Sequence, residues 1–102
     1  MLEQVFPLSS ELGVERVVQN EALHYIHMVF AEGEGLPEHL SNSTLYMTVM
    51  RGQLSIRLAD QPVHVYPAGT LLQIPVRTRM LVRNLHAETL ELLVIKAPPP
   101  AV

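Results

Sequence analysis

The chain has 102 residues, nearly half of them apolar (48%), a formal charge of −3 and no cysteine. That length encloses one modest core, and the lack of cysteine excludes disulfide staples, thiolate metal sites and cysteine nucleophiles. The few basic residues form no block, which argues against a nucleic-acid partner, and no apolar run approaches the ~20 residues of a membrane helix.

In chain order, the opening MLEQVFPLSSELG has neither the basic start nor the apolar core of an export signal, so a cytoplasmic protein with no membrane partner is expected. Ser9 to Leu12 offers one helical turn at most. Ala22 to Ala31 reads as a strand ending at the Gly33/Gly35 turn. Thr44 to Met50 and Gln53 to Ala59 flank Arg51-Gly52, a hairpin signal. Asp60-Gln61-Pro62 leads into a strand over Val63 to Tyr66, and Pro67-Ala68-Gly69 turns the chain again. Leu71 to Ile74 stops at Pro75, Thr78 to Asn84 follows, and Leu90 to Lys96 closes the domain. Three consecutive prolines then forbid further pairing, so one domain over residues 1–97 and a disordered Pro-rich tail at 98–102 are expected. Short strands with frequent turns and little helix point to an all-β double-sheet jelly roll.

Strand parity adds a partner. Leu45, Met47 and Val49 share one face while Tyr46, Thr48 and Met50 share the other, and both are substantially apolar. Leu90, Leu92 and Val94 alternate with Glu91, Leu93 and Ile95 in the same way. A lone barrel needs only its inner face apolar, so the outer face calls for cover, and a second copy of the chain is the simplest cover.

Two stretches carry a recognisable frame. GEGLPEHLSNSTLYMTVMRG places Gly33, His39, Ser41, Leu45 and Gly52 at the spacing Gly, five residues, His-x-His, three or four residues, Glu, six residues, Gly. GTLLQIPVRTRMLVRN places Gly69, Pro75, Arg77, Met80 and Asn84 at the spacing Gly, five residues, Pro-x-Gly, two residues, His, three residues, Asn. Six of the ten positions match, with no insertion. In this the chain resembles the cupins, and the resemblance implies a double-stranded β-helix, the cupin jelly-roll barrel. In metal-binding cupins three histidines and the glutamate of these motifs converge on one divalent ion. Of those four positions only His39 keeps its ligand here; Ser41, Leu45 and Met80 stand at the others. One imidazole and a hydroxyl do not make a site for Zn, Fe, Mn or Ni, and leucine removes the charge that would offset a dication. No metal and no cofactor is expected.

The remaining polar groups suggest a pocket. Met47, Met80 and His39 share the interior by parity; thioether plus imidazole is a soft set suited to Cu(I), but methionine is also the common filler of a vacated polar site. Ser41 lies two residues from His39 and points the same way. A nucleophile–base pair lacks its acidic third member, since Glu38 faces the other side. His24 and His27 fall on opposite faces of one strand, His24 with Ile26, Met28 and Phe30; His64 and His86 lie beside turns and face solvent. Arg77, at the motif glycine, sits near the barrel mouth, and Arg79 and Arg83 continue a solvated basic face, as Glu32, Glu34 and Glu38 form a solvated loop. The function expected first is a metal-free small-molecule-binding or sensor module, with His39, Ser41, Leu45, Met47 and Met80 lining the ligand site. The alternatives are a barrel filled by its own side chains and a metal-independent isomerase or epimerase using His39 as base with a tyrosine acid.

Overall fold

The structure, a computed structural model, describes residues 2–100 and has nine strands there, most of them apolar runs between turns of Gly, Pro and Asp. They are β1 Gly13–Gln19, β2 His24–Phe30, β3 His39–Leu40, β4 Leu45–Arg51, β5 Gln53–Leu58, β6 His64–Pro67, β7 Leu71–Ile74, β8 Arg79–Arg83 and β9 Leu90–Lys96. A five-stranded sheet in the order β1-β2-β9-β4-β7 faces a four-stranded sheet in the order β3-β8-β5-β6. Every pairing is antiparallel. The expected jelly roll is the architecture.

The core strands turn apolar residues inward. Ile26, Met28 and Phe30 of β2, Leu90, Leu92 and Val94 of β9, and Leu45, Met47 and Val49 of β4 meet Leu54 and Ile56 of β5 and Met80 and Val82 of β8 in one core. Register confirms the shared faces: Met47 stands opposite Val94 and Leu72, and Ile56 opposite Val82.

Two frame residues hold the sheets together at their ends. Asn84 is buried and fully used: Nδ2 donates to the carbonyls of Phe30 (3.0 Å) and Glu88 (2.9 Å), and Oδ1 accepts from the His86 amide (3.0 Å). Its backbone also holds the first-motif loop, donating to the Glu34 carbonyl and accepting from Gly33. Gly52 takes a φ of +81°, and a Cβ there would lie 2.4 Å from the Thr89 carbonyl oxygen. Only glycine tolerates both.

Some elements differ from the expectation. Arg51-Gly52 does not close a hairpin, because β4 and β5 lie in different sheets and the turn carries the chain around the barrel corner. Ser9 to Leu12 forms no helical turn but runs into β1, a strand the alternation had not revealed. Of the tail expected to be disordered, 101–102 lie outside the described residues. Nearer the domain, the Ala97 amide donates to the Thr44 carbonyl and the Ser43 hydroxyl to the Pro98 carbonyl. Among the described residues no helix is long and apolar enough to cross a membrane.

Candidate functional site

The first-motif histidine lies where β3 pairs with β8. His39 stands directly opposite Met80, which places the two on one face of that sheet. Yet His39 is exposed, and its Nδ1 lies 2.7 Å from the Pro37 carbonyl oxygen. A carbonyl only accepts, so Nδ1 donates to it.

Ser41 does something else. Its hydroxyl donates to the Pro75 carbonyl (2.7 Å) and accepts from the Thr78 amide (2.9 Å), while its backbone bonds to Thr78 and Arg77. The buried side chain clasps the turn before β8, so its donor and an acceptor site are both committed within the chain. The turn needs the clasp, because Arg77 sits in the left-handed region at a φ of 64°, where the motif has glycine.

The remaining expected pocket residues are packed. Leu45 is 2% exposed, Met47 0% and Met80 2%, all within the core between the sheets. Three surface concavities, of about 240, 570 and 250 Å³, include none of these residues in their walls. The four motif positions therefore present an imidazole held at Nδ1, a hydroxyl committed at both roles, a leucine and a buried thioether. That donor set does not fit a divalent metal, and among the described residues no three His, Cys, Asp or Glu side chains gather as a coordination group.

The charged residues near the motifs pair with one another on a solvent-exposed face. Glu38 Oε1 accepts from Arg57 (3.1 Å) and lies 3.2 Å from Arg79, which also pairs with Asp60 at 2.7 Å. Arg83 Nη1 donates to the Leu36 carbonyl at 2.7 Å, fastening the first-motif loop to β8. The Glu34 carboxylate accepts from the Ala31 amide (2.8 Å). Arg83 thus acts as a strut between the loop and β8, whereas the Arg57 and Arg79 pairs lie open to solvent.

A constellation that sequence reasoning passed over lies on the outer face of the five-stranded sheet. His27 of β2 is 1% exposed, and its Nε2 lies 2.6 Å from Glu91 Oε2 of β9. The second Glu91 oxygen is 4.0 Å from Arg51. A carboxylate accepts, so Nε2 donates. Glu15 of β1 stands opposite His27 on the same face, and His27 lines a cavity of about 240 Å³ with Ser9, Glu11 and Gly13 among its walls. The available signal was a histidine and a glutamate, each alone among apolar neighbours on strands whose outer faces read as covered.

No protein-family model matches the chain. It is 33% identical over 103 residues to an uncharacterized protein of Methanocaldococcus jannaschii, covering 98% of this chain and 89% of that one. A crystal structure from that organism, described as an RmlC-like cupin family protein with a double-stranded β-helix fold, superposes with a TM-score of 0.90 at 33% identity, covering 96% of this chain and 93% of its own. A cupin superfamily protein of Desulfitobacterium hafniense superposes with a TM-score of 0.75 at 15% identity, over 91% of this chain and 83% of that one. A cupin 2 conserved barrel domain protein of Salinispora arenicola gives 0.73 at 20% identity, over 89% and 79%.

Proposed function

Because the chain belongs to the RmlC-like cupin family, we propose that it is a metal-free barrel whose interior is filled by its own side chains. On this reading the barrel is a scaffold that binds small molecules at its mouth and outer surface. One observation carries it: Leu45, Met47 and Met80, where an open barrel would present its cavity wall, are 0–2% exposed and continuous with Val82 and Leu54 in the core. Side chains buried to that degree pack against one another, which argues against room for an organic ligand.

The isomerase alternative is less well supported. A general-base histidine is usually oriented by a carboxylate that stabilises the imidazolium, whereas the hydrogen-bond partner of the His39 ring is the Pro37 carbonyl. A second copy of the chain remains the proposed partner. The outer face of β4 and β9 carries half-buried Tyr46, Leu93 and Ile95 beside exposed Met50 and Leu71, a band suited to self-association.

Elemental analysis tests the metal-free half of the proposal. After dialysis against a chelator the protein is expected to hold well under one equivalent of Zn, Fe, Mn, Ni or Cu per chain. A full equivalent retained would overturn it, and retained copper would point to the thioethers beside His39.

A further inference from the structure

The cations that the fold leaves without a counter-charge lie at one end of the barrel. Of the seven Lys and Arg residues, Arg51, Arg57 and Arg79 pair with carboxylates and Arg83 is bonded to the Leu36 carbonyl. Arg16, Arg77 and Lys96 have no carboxylate within ion-pair distance among the described residues. The Arg77 amide donates to the Ser41 carbonyl (2.8 Å) and the Lys96 ammonium to Asn42 Oδ1 (2.9 Å), so both border the loop that enters β4. Lys96 stands opposite His24 across β2 and β9, and Arg16 stands opposite Ile26 across β1 and β2. Directly opposed residues share a face, so Arg16, His24 and Lys96 lie together on three adjacent strands, at the end of the core-facing side. Lys96 and His24 are half-buried and Arg16 is exposed. The acidic residue nearest to them in sequence, Glu21 of the turn between β1 and β2, is exposed and makes no ion pair among the described residues. Burial, and then the Arg16 guanidinium, hold the Lys96 ammonium below its ordinary pKa range. An anion bound between the two cations would offset both effects.

We propose that Arg16, His24 and Lys96 form a site for the phosphate group of a small molecule. The sign of the ligand follows from the two uncompensated cations, which stand out on a chain of net charge −3. Its shape follows from the donors: an ammonium, a guanidinium and an imidazole come from three separate strands. Three such donors match the oxygens of a tetrahedral phosphate better than the two of a planar carboxylate. Asn42 positions Lys96 by accepting one of the three ammonium hydrogens, which leaves two for the ligand. The site rests on the reading that small molecules bind at the mouth and outer surface, and it gives that reading a ligand class.

The test is a titration of the intact protein with inorganic phosphate and with methyl phosphate, followed by the ¹⁵N resonances of the Lys96 ammonium, the His24 ring and the backbone amides. A saturable shift at Lys96 and His24 is expected with both probes, and none with sodium chloride at matched ionic strength. Arg16→Gln and Lys96→Gln are each expected to weaken binding about tenfold or more, the loss of one charge-assisted hydrogen bond. Arg57→Gln, on the other sheet, is expected to leave it unchanged. The proposal is overturned by the absence of a saturable shift, by an equal response to sodium chloride or acetate, or by wild-type affinity in both variants. It is overturned equally by the same loss in Arg57→Gln. Saturable shifts confined to His39 and Val76 to Thr78 would overturn this site while leaving the reading of the mouth as a binding surface in place.

Discussion

Ser41 shows how a ligand position becomes a structural one. The hydroxyl joins the Pro75 carbonyl to the Thr78 amide and closes a turn that contains the left-handed Arg77. Ser41→Ala removes the acceptor for the Thr78 amide, and an unpaired, part-buried donor costs about 1–3 kcal/mol. Chemical denaturation is expected to show that loss in the midpoint with an unchanged slope. Stability equal to the parent would mean that the clasp contributes nothing. The sequence carried no sign of Ser41's partners, because Pro75 and Thr78 lie 34 and 37 residues away. His27 and Glu91 escaped for the same reason, being 64 residues apart.

At the scale of elements, apolar runs between turn residues located β2 and β4 to β9 to within a few residues, and β4, β8 and β9 bury a clean inner parity. β1 was missed because a bulge between Arg16 and Val18 breaks its alternation against β2. β3 is two residues long and exists through its pairing with β8; no local pattern encodes it. The loop before β3 depends on Gly35. A Cβ there would lie 2.1 Å from the Val82 carbonyl oxygen, the atom that accepts from the Leu36 amide at 3.0 Å. Gly35→Ala must lift the loop from β8 and loosen the Arg83 strut to Leu36, at a cost of about 1–3 kcal/mol by analogy with overpacking. A shift of the denaturation midpoint of that size checks it; no shift would mean that the close approach is not a constraint.

The whole molecule has a radius of gyration of 13.6 Å, above the roughly 12.8 Å of a compact chain of this length. Residues 2–12 form no strand and expose Leu2, Val5, Phe6 and Leu8. With the apolar band on β4 and β9, this surface is expected to associate, so light scattering at micromolar concentration should give twice the chain mass of 11.4 kDa. A monomer would remove Tyr46, Met50, Leu93 and Ile95 from any interface. On the filled-barrel reading the interior is closed by its own side chains, and the stability of Met80→Trp tests it most directly. Met80 is 2% exposed amid the core, so an indole there must displace its neighbours, and a loss of about 1–3 kcal/mol or more is expected. A variant as stable as the parent would mean that the indole entered empty space, and that the barrel is open after all.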